Sequence, residues 1–162
     1  MYIQHADLFR GMSKDFLKKV MDITTKESHE KGGILFREGD PAVYLFALLQ
    51  GRVDLSIGEM GHVVFVVSRP GEAFGWSSLI SRDLYSATAE CKVPTRLLKM
   101  EREKFLEILE KDPANGFFFF KRLAATLGNR LLQSYRQISA GSQAEISPSF
   151  GTGQVLASAG AQ

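Results

Sequence analysis

The residues whose types and spacing suit them to chemistry lie in one stretch, residues 70–88, with the sequence PGEAFGWSSLISRDLYSAT. Pro70-Gly71 and Gly75 punctuate it on either side of Phe74, and a short helical turn is expected at 76–80, with Ser77 and Ser78 near its start. A glycine followed by a helix start leaves backbone N–H groups without intrahelical partners, which makes a ready anion site. A polar loop, Ser81-Arg82-Asp83, then returns the chain to Tyr85 and the small residues Ser86-Ala87-Thr88. The chemistry expected here is capture of a small ligand, not bond making. His5, His29 and His62 fall in different segments without metal-ligand spacing, and the chain has no Walker loop, nucleophile elbow or Cys–His pair. No catalytic residue and no metal are therefore expected. Glu72, just before the FG turn, is most simply a turn or strand-end residue.

Such a stretch needs a container. Residues 14–22 form a short amphipathic helix with Ser13 as N-cap and Phe16, Leu17, Val20 and Met21 inward. From residue 24 the period changes to short strands separated by glycine turns: 24–29 (an edge strand), 34–36, 44–49, 52–57, 62–67, 89–93 and 96–100. Gln50-Gly51 is a candidate two-residue hairpin, and 52–57 alternates as a strand with one buried and one wet face. This spacing predicts an antiparallel sandwich or barrel, spanning about residues 24–100, rather than a parallel sheet.

Residues 101–109 have helical spacing, and Asp112-Pro113 is a strong helix start. One helix of about seven turns is expected over about 113–138. Phe117, Phe118, Phe119 and Phe120 are consecutive and project all round it, so the segment is expected to be buried on more than one side. A seam at heptad spacing continues through Phe117, Phe120, Ala124, Leu127, Leu131 and Ile138, while Phe118, Ala125 and Leu132 lie off it. The favoured expectation is a homodimer through this helix, the alternative a helix sunk in its own domain. Residues 139–162 are Ser, Gly, Ala and Gln with one charge, Glu145, and read as a flexible tail.

The 162 residues support one domain, and the formal charge of +2 gives no strong field for nucleic acid or membrane. The single cysteine, Cys91, cannot form an internal disulfide and fits a reducing cytosol. The first residues carry charges in place of a signal-peptide core, and no apolar run approaches the roughly 20 residues that span a bilayer. A cytoplasmic location is expected.

The order helix, glycine-punctuated strands, PGE-x-FG turn, strand and long helix resembles the cyclic-nucleotide-binding domain. That family includes the bacterial catabolite activator, the regulatory subunits of cyclic-AMP-dependent kinase and the cyclic-nucleotide-gated channels. The resemblance is spread over about residues 6–138. It rests on Leu8-Phe9-Arg10-Gly11-Met12-Ser13, Phe36-Arg37-Glu38-Gly39-Asp40, Leu48-Leu49-Gln50-Gly51-Arg52-Val53 and Pro70-Gly71-Glu72-Ala73-Phe74-Gly75. It implies a mainly β fold with flanking helices, a jelly roll (double-stranded β-helix) followed by a long C-terminal helix. It also implies that residues 70–88 are the phosphate-binding cassette, with Phe74, Gly75, Trp76, Ser77, Ser78, Tyr85, Ser86 and Ala87 at the ligand.

In that family a Glu holds the ribose 2′-hydroxyl, an Arg pairs with the cyclic phosphate, and amides of the short helix complete the cradle. Here Gly75 is kept, Leu79 and Ile80 keep the apolar anchors, and Ser86, Ala87 and Thr88 keep the small residues. The Glu position is Trp76 and the Arg position is Tyr85. A charge-assisted hydrogen bond contributes roughly 1.5–3 kcal/mol. Losing two weakens binding by about 10² to 10⁴. Trp76 and Tyr85 leave two readings open, core packing or stacking on a planar ligand. Arg82 is a candidate substitute cation, and Thr126 and Arg130 on the long helix are candidate contacts by position alone.

The resemblance thus implies a small, non-enzymatic regulatory or sensor domain that binds a nucleotide-like or other small ligand between cassette and long helix. A cyclic nucleotide is the candidate ligand, and no cofactor is expected. The alternative is a ligand-free cassette in a dimerisation or protein-interaction module. No recognition helix and no basic stripe are visible, which argues against direct DNA contact, although the tail's composition would also suit a linker in a longer chain.

Overall fold

The structure, a computed structural model, describes residues 6–141. His5 and residues 142–162, most of the expected tail, lie outside them. The chain divides into two units, Met1–Leu123 and Ala124–Gln162.

Among the described residues, the strands all lie in the first unit. Helix α1 (Lys14–Asp22) begins where Ser13 Oγ accepts the Phe16 N–H at 3.2 Å, as its N-cap position demands. The strands are β1 (Thr24–His29), β2 (Ile34–Phe36), β3 (Tyr44–Gln50), β4 (Val53–Ile57), β5 (His62–Val67), β6 (Ala73–Phe74), β7 (Thr88–Cys91) and β8 (Thr95–Glu101). They form two four-stranded antiparallel sheets, β1-β8-β3-β6 and β2-β7-β4-β5. This is the antiparallel sandwich the strand spacing called for and the jelly roll the resemblance implied, with β1 at an edge.

Consecutive strands often change sheet, and one expectation fails for that reason. Gln50-Gly51 is not a hairpin, because β3 and β4 lie in different sheets and do not pair. It is a corner. Gly51 holds a φ of 109°, and a Cβ there would stand 2.8 Å from Pro94 O and 2.8 Å from Thr95 Cα. The strict alternation expected of β4 fails too. Asp54 is buried, since the Arg52 guanidinium donates to its two oxygens at 2.8 and 3.2 Å, while Ile57 at the strand end is exposed.

Two apolar cores result. Between the sheets lie Phe36, Phe46, Leu48, Val53, Val67, Phe74, Tyr85, Cys91 and Leu97. Outside them, α1, α2 (Arg102–Lys111) and the start of α3 (Pro113–Gly141) close over a second group. There the Phe119 ring stands 4.9 Å from Phe105 and 5.4 Å from Phe9. Of the four consecutive phenylalanines only Phe119 is buried, and Phe117, Phe118 and Phe120 are 65%, 55% and 39% exposed. A single chain therefore does not bury this segment on more than one side.

In the second unit the described residues are the rest of α3, which reaches Gly141. Leu131, Leu132 and Ile138 are exposed along it, and nothing lies within 4 Å of a Cβ placed on Gly128. Among the described residues no helix is long and apolar enough to cross a membrane.

Candidate ligand-binding cassette

The stretch 70–88 is pinned at its start by main-chain bonds. Gly71 donates to Leu48 O at 2.8 Å, and Leu48 donates to Glu72 O at 2.9 Å. The Glu72 carboxylate is committed locally. It accepts the Ser68 and Arg69 amides, both at 2.9 Å, and the Arg69 guanidinium at 3.0 and 2.8 Å. Burial would raise this carboxyl, but those bonds outweigh it and hold it below its ordinary range. Glu72 is a turn residue, and no part of it is left for a ligand.

Gly75 follows β6 with a left-handed φ of 76°. A side chain there would be strained and crowded, since a Cβ would meet Tyr44 O at 3.0 Å and the Phe46 ring at 3.1 Å. The turn that follows is a 3₁₀ helix, Trp76–Leu79, one residue shorter than expected, and Ile80 is 37% exposed instead of serving as an apolar anchor. Its first main-chain bond is Ser78 N–H to Gly75 O at 3.2 Å, so the Trp76 and Ser77 amides precede it. Ser78 is buried and its hydroxyl donates to Gly75 O at 2.9 Å. The hydroxyls of Ser77 and Ser86 face each other across the cassette at 3.5 Å, the outer limit of a hydrogen bond. Trp76 and Ala87 are half-buried, and Arg82 is exposed on the return loop.

Tyr85 is the surprise. It is 4% exposed, and its ring stacks on Phe36 at 3.8 Å with planes 16° apart. Phe36 in turn stacks on Phe46, and Phe46 on Phe74 at 5.2 Å. Four rings thus fill the space between the sheets behind Gly75. The Tyr85 hydroxyl donates to Tyr44 O at 2.7 Å and accepts the Tyr44 N–H at 2.9 Å. Burial is the largest cause and, with smaller contributions from Tyr44 and Asp40, outweighs the lowering bond to the Tyr44 main chain and pushes its pKa up to about 12. Of the two readings left open for this residue, core packing is the one realised.

Phe74, Gly75, Ser77, Ser78, Tyr85, Ser86 and Ala87 are brought together with Trp76 around one turn, but Phe74 and Tyr85 face the core. Thr126 and Arg130 belong to the second unit, where both are half-buried. The residues missed from sequence are Tyr44 and Phe36, which receive Tyr85. Neither carries a local signal, because each lies some 40 or more residues from its partner. A separate apolar cavity of about 260 Å³ opens beside Ala6, Ala47, Leu49, Pro70 and Leu98. It has no charged side chain, so it is not a phosphate site. Among the described residues no cluster of His, Cys, Asp or Glu could hold a metal ion.

Two antiparallel four-stranded sheets, a glycine-led 3₁₀ turn between β6 and β7, and the long helix α3 define a jelly roll with flanking helices. The model of the cyclic nucleotide-binding domain matches residues 26–112, more than half of the chain, and the chain belongs to that family. It is 30% identical over 89 residues to human (Homo sapiens) cGMP-dependent protein kinase 2, covering 53% of this chain and 12% of the kinase. To the cyclic AMP receptor protein of Thermus thermophilus it is 27% identical over 131 residues, covering 80% of this chain and 59% of the receptor. The chain thus spans less than two thirds of either relative. Among solved structures, a candidate cyclic nucleotide-binding protein from Geobacter metallireducens superposes with a TM-score of 0.72 at 29% identity, covering 80% of this chain and 95% of that one.

Proposed function

We propose that this chain is a non-enzymatic regulatory domain of the cytoplasm. It senses a small ligand at the cassette 74–87 and passes its state on through a homodimer along α3. The observation that carries this reading is the cassette turn. Ser77 and Ser86 face each other at 3.5 Å over a left-handed Gly75, with the Trp76 and Ser77 amides ahead of the first turn bond. Trp76, half-buried at the same turn, offers an indole face to a planar ligand.

The dimer reading draws on α3. Phe117, Phe120, Leu131 and Ile138 are exposed along one heptad seam, where the small side chain of Ala124 suits close approach of a second helix. Contiguous exposed apolar surface of this kind marks an interaction site.

The test is a thermal-shift screen of the whole chain against cyclic nucleotides, nucleosides and uncharged planar heterocycles. A ligand at 100 times its Kd stabilises by about 2.7 kcal/mol, a shift of several degrees. Loss of that shift on Ser77→Ala with Ser86→Ala would assign it to the cassette. No shift at millimolar concentrations of any of these compounds would contradict the sensing role. A second reading, a ligand-free assembly module, would then stand, and the buried Tyr85 favours it.

A further inference from the structure

The return limb of the cassette is tied to the segment before β3 along its whole length. Gly39 N–H donates to Tyr85 O at 2.9 Å, Tyr85 N–H to Asp40 O at 2.9 Å, and Ala42 N–H to Asp83 O at 2.7 Å. The Tyr85 side chain continues that ladder across Gly75 to both main-chain groups of Tyr44. Tyr44 is itself held, with the Lys99 ammonium 4.1 Å from its ring centroid and the Val43 carbonyl taking the Arg102 N–H at 2.9 Å. Arg102 opens α2 and also pairs with Asp83 at 3.5 Å. Loop, strand and helix start therefore form one closed circuit that passes through the Tyr85 hydroxyl.

The chemistry of that hydroxyl decides what the cassette can hold. A phenol has one proton to donate. Here Tyr44 O takes it, so an anion reaching this limb finds no donor on Tyr85. The charged residues bonded into the limb are Asp83 and, through their main chains, Asp40 and Glu38. Arg102 is already paired to Asp83, and Arg82 is exposed. We propose that Tyr85 is the specificity-determining residue of the cassette: it latches the return limb to β3 without any ligand and thereby excludes phosphodiester anions.

This inference rests on the cassette being the ligand site, and its test separates the two. Amide hydrogen exchange is followed in the whole chain and in Tyr85→Phe, which keeps the ring and removes only the hydroxyl. Wild type and variants are then titrated calorimetrically with cyclic AMP and cyclic GMP. The latch requires exchange roughly tenfold faster at Gly39, Ala42, Tyr44 and Tyr85 in Tyr85→Phe, the worth of about one hydrogen bond. It also requires no heat from wild type at millimolar nucleotide. Unchanged exchange in Tyr85→Phe, or micromolar cyclic-nucleotide binding by wild type, would overturn it. In Trp76→Glu with Tyr85→Arg, binding should appear if the variant remains folded. If that variant is folded and silent while Tyr85→Phe loosens as required, the latch stands and the ligand-site reading falls.

Discussion

Around the cassette, four aromatic rings stack against one another, and the one hydroxyl among them has both its proton and an acceptor lone pair matched to main chain. On α3, three of four consecutive phenylalanines face outward with 39–65% of their surface exposed. Both regions are rich in aromatic residues, yet only the first is buried within its own chain, whereas Phe117, Phe118 and Phe120 touch neighbouring rings on the same helix and stay exposed. The difference teaches where to look for regulation. A site that satisfies itself needs no second molecule to become ordered, whereas an apolar helix face is stabilised only by one.

Phe119 and Phe117 make the contrast within three positions of one helix. Phe119→Ala should cost about 3–5 kcal/mol, because it opens a cavity between Phe9 and Phe105. Phe117→Ala should change monomer stability by less than about 0.5 kcal/mol. Urea unfolding at dilute protein concentration measures both. Equal losses would mean that Phe117 is anchored within its own chain.

Gly75→Ala comes next. The left-handed backbone and the 3.0 Å approach to Tyr44 O should make it destabilising by about 1–3 kcal/mol. The same substitution at Gly128, where nothing lies within 4 Å in the middle of α3, should leave stability unchanged or raise it by up to about 1 kcal/mol. Thermal melts at two protein concentrations separate these effects.

The two limbs of the pH profile sharpen the picture of the closed cassette. Tyr85 ionises at about 12 when folded against an ordinary 10.0, so its contribution is complete below pH 10 and is lost as pH rises from 10 toward 12. Tyr85→Phe should flatten that alkaline limb. Glu72 has the opposite sign: held below its ordinary 4.5, it stabilises above that pH, and the contribution is lost as pH falls through the folded value. Glu72→Gln should flatten the acid limb. The smallest effect belongs to Arg82. Arg82→Ala, at an exposed loop position, should alter stability by less than about 0.5 kcal/mol, and a larger change would show that it has a partner.

Much of this architecture was legible in the amino-acid sequence. Ser13 as an N-cap, Asp112-Pro113 as a helix start and the glycine-separated strands are local signals, and each acts within a few residues. What escaped depended on distant pairing. Gln50-Gly51 carries the signal of a hairpin, but β3 pairs with β8 and β4 with β7 in different sheets, so the chain turns a corner there. Asp54 sits at an expected wet position and is buried because Arg52 neutralises it. The turn at Gly75 was legible locally, and the family resemblance set Trp76 and Tyr85 where the family has its Glu and Arg. That Tyr85 turns inward was not legible, because the decisive partners, Phe36 and the Tyr44 main chain, are remote in sequence.

The contrast between a closed cassette and an open helix face is tested most directly by the mass of the whole chain in solution. Light scattering after size exclusion should give twice the 18.0 kDa chain mass, and a single chain mass for Phe117→Asp with Leu131→Asp at unchanged fold. A wild-type chain that runs at 18.0 kDa across the micromolar range would contradict the account.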